Sequence, residues 1–234
     1  MYRTHTFLPP VGGFPPLAAW SVHSSHTRLF HGCLLRHATA ITTSGVNPRL
    51  GNPDTDFGQG FYTTTDPEQA EQWAHKVYAR NYLPLGNLAD PPVVLEFRVS
   101  LDELAELDWL GFVRGDPDFE PFWSFVHHCR SSRRATTITP AVVHSHLRPG
   151  RAPANDWYDV VCGPVVGWNP PPGGGRPIAT DRWVIGATVP GPHAAYWFGY
   201  DQFSFHSPAG VKVLNDLISK GPPEFVTHTL TPTF

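Results

Sequence analysis

Apolar and polar positions change their spacing several times along the chain, and each change marks an element. Residues 27–31, with Leu29 and Phe30, read as a short strand ended by Gly32. From 34 to 43, Leu34, Leu35, Ala38 and Ile41 recur at helical spacing, and Gly45 supplies the stop. A polar loop rich in proline and glycine, 46–56, leads to a glycine-flanked strand at 60–64, Gly-Phe-Tyr-Thr-Thr. Asp66 and Pro67 then open a helix to residue 81: Asp66 suits the N-cap, Pro67 the first helical position, and Glu68 and Glu71 the positive end of the dipole. Ala70, Trp73, Ala74 and Val77 form its core face.

Residues 92–99 alternate from Leu95 onward and give the clearest strand. A short capped helix at 100–107 follows, then a helix at 120–130 with Phe122, Phe125, Val126 and Cys129 inward. A buried strand at 157–162 stops at Gly163-Pro164, and 166–181, with its runs of three prolines and three glycines, reads as a loop. A strand at 201–206 and a helix from Ser207-Pro208 to Lys220, ended by Gly221-Pro222, complete the series. Short helices interrupt short strands without a βαβ rhythm, so the expected class is α+β rather than a doubly wound sheet. Prolines and glycines break up residues 1–27 into an arm, leaving one domain at 28–234.

Charge and composition narrow the functional classes. With 17 basic and 20 acidic residues the formal charge is −3, so nothing draws the whole surface to a nucleic-acid backbone. Three cysteines without paired spacing fit a reduced compartment, and no apolar run approaches the roughly 20 residues of a membrane span. The expectation is a cytoplasmic monomer that needs a local site for any phosphate-bearing ligand.

Candidate chemistry lies at strand ends. His31 precedes Gly32, Tyr62 follows Gly60-Phe61, and Gln202 sits in the run Asp-Gln-Phe-Ser-Phe-His-Ser; singly, His31 reads more readily as structural, Tyr62 as core and Gln202 as surface. In the loop before the second strand, Asp56 either contacts a ligand or caps a turn, and Arg49 either meets a pyrophosphate or is a solvated arginine. His127, His128 and Cys129, and His144 with His146, are metal-ligand types without zinc-site spacing, so no metal is expected. Gly173 to Gly175 lack the lysine and hydroxyl residue of a phosphate loop, and no serine or cysteine lies in a nucleophile motif.

Taken in order, Leu-Phe-His-Gly at 29–32, Gly-Phe-Tyr-Thr-Thr leading into a helix, and the late strand carrying Gln202 resemble the ADP-ribosyltransferase superfamily of the diphtheria-toxin and poly(ADP-ribose) polymerase type. The closer resemblance is to an uncharacterised, mostly microbial subfamily with phrases like DFGQGFYTT, YDVVCGPV and DQFSFHS, here spanning 28–218. It implies split antiparallel sheets with peripheral helices and NAD as co-substrate, whose nicotinamide–ribose bond is cleaved and whose ADP-ribose passes to a protein, nucleic-acid or other acceptor. His31, Tyr62 and Gln202 would be the catalytic trio. His31 would bond the adenosine-side ribose, the Gly32 backbone the nicotinamide amide, and Tyr62 would stack on the nicotinamide ring. Thr63 or Thr64 would support that pocket. Gln202 stands where the family usually has a glutamate on the nicotinamide ribose; being neutral, it orients a hydroxyl but takes no proton, which implies a single transfer or hydrolysis. The aromatic run 194–200 would occupy the acceptor-recognition loop. An NAD glycohydrolase and a non-catalytic NAD or ADP-ribose binding module are the competing readings.

Overall fold

The computed structural model describes residues 25–85, 90–112, 122, 125–126, 129–130, 158–168, 184–185 and 194–231. The arm up to residue 24 and the histidines His127, His128, His144 and His146 lie outside the described residues. Strands β1 (His26–Leu34), β2 (Phe61–Thr64), β3 (Pro92–Ser100), β4 (Trp109–Gly111), β5 (Val160–Trp168), β6 (Val184–Ile185), β7 (Ala194–Phe205) and β8 (Phe225–Thr229) form one eight-stranded sheet. Its order is β4-β5-β7-β2-β1-β3-β8, with β6 on β7. The β4–β5 and β6–β7 pairs are parallel and the rest antiparallel. Helices α1 (Leu35–Ser44), α2 (Pro67–Leu85), α3 (Leu101–Ala105) and α4 (Pro208–Lys220) surround it, so the class is α+β.

The strands do not form two separate sheets, but the path nearly breaks at its centre. β1 and β3 pair over nine residues, whereas β1 and β2 meet only at Phe30↔Thr64. We call this joint the seam. On one face of the sheet Leu29, Cys33, Leu95, Phe97, Phe61, Phe203 and Phe205 merge into a single core with Leu214 and Leu217 of α4. On the other, two smaller clusters lie apart: Phe30, Ala70 and Val94 under α2, and Phe57, Tyr158 and Val161 under the helical residues Phe122, Phe125 and Val126.

Local signals set the helix ends. Asp66 Oδ1 accepts from the amides of Glu68 and Gln69 at 2.9 and 3.3 Å, Ser207 Oγ accepts from Gly210 at 3.0 Å, and Gly45 closes α1 at φ 82°. Several expectations need correction. Gly32 does not end β1, which runs on to Leu34. β5 continues through Gly163-Pro164 to Trp168 with a register shift between Pro164 and Val166, since proline brings no amide to the ladder. The run 194–200 is the first half of β7 and not a loop. On α2 the buried stripe is Ala70, Ala74 and Tyr78; Trp73 is exposed.

Glu96 of β3 fastens three strands, taking Arg28 Nε of β1 at 2.6 Å and facing His228 Nε2 of β8 at 2.9 Å. Burial alone pushes its carboxyl up, but the hydrogen bonds and charges of His228 and Arg28 outweigh it and hold the group below its ordinary value. A depressed carboxyl contributes stability above its unfolded pKa and loses it as pH falls through the folded one. Denaturant unfolding of the protein against Glu96→Gln should show an advantage of about 1 kcal/mol or less at neutral pH, because both partners are half exposed, and none at pH 3.

Candidate functional site

The register fixes which backbone groups face the seam. The amide of Leu35 donates to Pro91 and that of Leu101 to Ser25, so the odd-numbered residues of β1 bond β3 and the even-numbered ones, including Phe30 and Gly32, turn their N–H and C=O toward β2. By the same alternation, the bond from His206 N to Asp159 O turns Tyr62 and Thr64 toward β1. Phe30 and Thr64 use these groups on each other, and the ladder then stops. At the next step the Tyr62 carbonyl accepts from His31 Nδ1 at 2.6 Å, where continued pairing would have brought the Gly32 amide. The N–H and C=O of Gly32 and the N–H of Tyr62 therefore face the seam with no ladder rung between them.

His31 leaves β1 on the main-core face, and its ring stacks on Phe61 at 4.3 Å. The bond to Tyr62 O turns the ring into the seam and makes Nδ1 the protonated nitrogen, leaving Nε2 as an acceptor. Burial pulls its pKa down to about 4, so the imidazole is neutral at physiological pH.

Tyr62, Thr64 and Gln202 leave their strands on the opposite face, with Gln202 paired to Thr64 and diagonal to Tyr62 at about 7–8 Å. The Tyr62 hydroxyl donates to Gly58 O at 2.7 Å and accepts from the Phe57 amide at 2.9 Å, while the ring lies beside Phe57. Burial drives the phenol far above its ordinary pKa, so the side chain offers a held ring and no titrating proton. Gly58 adopts φ 75° in that turn, and at Gly60 a Cβ would overlap Ser204 Oγ.

Gln202 is nearly buried, and its Nε2 donates to Asp56 Oδ2 at 2.7 Å and Pro164 O at 3.3 Å. Asp56 Oδ2 also accepts from Val166 N at 2.9 Å, and Oδ1 accepts from Arg130 Nε at 2.7 Å and from Arg130 Nη2. Both Asp56 oxygens are thus committed inside the protein, and the residue is a hub rather than a free ligand group. Arg130 was not legible as a partner, since 74 residues separate it from Asp56.

The remaining candidates divide. Thr64 Oγ1 lies 2.5 Å from Gln69 Oε1 and accepts from Asp66 N at 3.1 Å, tying β2 to the start of α2. Thr63 points into the main core and does not reach Tyr62's side. Arg49 is exposed on a 3₁₀ turn, Pro48–Leu50, away from the Asp56 hub's hydrogen bonds. Gly32 is required sterically, because a Cβ there would overlap the Ala70 carbonyl oxygen and lie 3.0 Å from Ala74 N. Trp73 is the residue that sequence reading misplaced: it follows Gln69, which reaches Thr64, by one helical turn, and so lies on the side of α2 nearest β2 with half its surface exposed. The narrow spacing of Ala70, Ala74 and Tyr78 was the signal available.

Among the described residues no group of three or more His, Cys, Asp or Glu is arranged to hold a metal, and no helix is long and apolar enough to cross a membrane. Cys33, Cys129 and Cys162 are buried thiols, with Cys33 pushed by burial up to about 12.

No curated protein and no solved structure matches the chain. Residues 33–167 match a family described as a protein of unknown function, DUF3990, in a span that includes Asp56 and Tyr62 and stops short of His31 and Gln202. The match covers more than half of the 234 residues, and the chain belongs to that family.

Proposed function

We propose that the seam binds NAD and that the protein is an NAD-dependent mono-ADP-ribosyltransferase, with an ADP-ribosyltransferase-like arrangement of the two half-sheets. The observation that carries the reading is the unpaired backbone at the centre of the sheet. Gly32 turns one donor and one acceptor into the seam, the complement of a primary carboxamide such as that of nicotinamide. Buried backbone groups are rarely left without partners, so this edge suits a ligand that completes it. Tyr62 provides a rigid ring, held by its hydroxyl on Gly58. The neutral His31, with Nε2 as acceptor, suits a ribose hydroxyl, as does the carboxamide oxygen of Gln202.

Chemically, loss of nicotinamide leaves an oxocarbenium-like centre, so the residues have chiefly to hold the two ends of the dinucleotide and let the bond stretch. No side chain of the trio is a good base for an acceptor's proton: Tyr62 is held by Gly58, Gln202 is an amide, and burial leaves the His31 imidazole weakly basic. That favours one transfer per acceptor over chain growth. The neutral Gln202 also favours a second reading, a binding module that retains NAD uncleaved.

The test is incubation with NAD labelled on the adenine side together with cell extract, separating macromolecular from small-molecule products. Label on a macromolecule, lost with His31→Ala, is the expected result. Free ADP-ribose alone would indicate a glycohydrolase, intact NAD bound in calorimetry would indicate the module, and no binding at all would end the NAD reading.

A further inference from the structure

We propose that Asp56 is a positioning residue that fixes which way the Gln202 carboxamide faces and restricts position 202 to an amide. Both Gln202 N–H bonds end on groups that only accept, the Asp56 carboxylate at 2.7 Å and the Pro164 carbonyl at 3.3 Å. The amide therefore has one orientation, with Nε2 toward the hub and Oε1 away from it. Oε1 has no hydrogen-bond partner among the described residues and is left to accept from a ligand hydroxyl. The last step rests on the NAD reading; the coupling of Asp56 to position 202 does not.

A carboxylate at 202 would put two like charges at hydrogen-bond distance, against Asp56 and the Pro164 carbonyl together. Arg130 is already committed to Asp56 Oδ1. Among the described residues, the Cys129 thiol beside Arg130 and the Tyr62 phenol of β2 also feel the Asp56 charge, and burial keeps both protonated. Among the described residues no uncommitted cation is placed to offset a second negative charge, so the pair would have to share a proton. Asp56 thus explains why a neutral residue stands in a position where a carboxylate would stabilise a cation better.

The experiment is a double-mutant cycle of D56N, Q202E and D56N/Q202E, read by denaturant unfolding at pH 8 and pH 5 without ligand. Q202E should lower the folding equilibrium constant at pH 8 by at least about tenfold more in the Asp56 background than in the D56N background, and the excess should shrink at pH 5. If Q202E alone does not fold, recovery of folding in D56N/Q202E supports the proposal and its failure overturns it. Additive effects at both pH values also overturn it. NAD binding measured by calorimetry on the same four proteins separates the two readings: coupling in unfolding with no NAD binding by any of them sinks the NAD reading and leaves the role of Asp56 standing. With NAD bound, Q202E should weaken affinity more at pH 8 than at pH 5, a pH dependence that a merely structural contact would not produce.

Discussion

Replacing Asp56 by alanine should lower the free energy of unfolding by about 3–5 kcal/mol, the loss expected when one partner of a buried ion pair is removed. Three donors lose their acceptor at once: the guanidinium of Arg130, the Val166 amide and the Gln202 carboxamide. Arg130 is partly exposed, which lets water compensate some of its share, but Val166 N and Gln202 Nε2 are buried, and each unsatisfied buried donor costs about 1–3 kcal/mol. The substitution also disconnects segments remote in sequence, the 55–58 turn, the helical residues around 130, β5 and β7. Urea titration at neutral pH measures the effect, and a loss below about 1 kcal/mol would show that the hub contributes little. Asp56→Asn keeps the volume and one acceptor and should lose less.

Gly32→Ala should be the second most damaging single change. Its new methyl group would meet backbone, the Ala70 carbonyl and the Ala74 nitrogen, rather than a side chain that can swing away. Overpacking of this kind costs about 1–3 kcal/mol when neighbours yield, and α2 would have to move off β1 as a body to make room. Because Gly32 also faces the seam, the proposed NAD reading expects affinity for NAD to fall with stability. Thermal unfolding with and without NAD checks both, and an unchanged melting temperature would mean that α2 does not pack on β1 as closely as described.

What could be read in the sequence was what short stretches of chain decide for themselves. Asp66-Pro67, Ser100, Ser207-Pro208 and Gly45 bound helices because capping needs only the next three residues, and the alternation after Leu95 identifies β3 unaided. Gly32 misled because a glycine in an apolar run signals a strand end, whereas here it makes room for a helix 40 residues later. Trp73 misled for the converse reason: an indole at helical spacing reads as core, but the stripe of α2 that faces the sheet is Ala70, Ala74 and Tyr78, with the alanines where Gly32 lets the helix approach β1. β8 and the outer half of β7 owe their place to partners found only in three dimensions, β3 for the one and β5 for the other.

The site divides along the same line. His31, Tyr62 and Gln202 were singled out from residue type, order and resemblance; His31 reaches the Tyr62 carbonyl from one face of the sheet, while the Tyr62 and Gln202 side chains lie on the opposite face. Asp56 was singled out, but its pairing with Arg130 and Gln202 was not legible, since the three lie in segments with no shared pattern.

An ordinary sheet is weakest at its rims, where one side of each outer strand lacks a neighbour. Here the deficit sits between the third and fourth strands from the β8 end, held by a single rung on top of a continuous apolar layer. A ligand that filled that gap would act as a missing length of strand, so its dissociation constant and the cohesion of the two half-sheets would become one linked equilibrium.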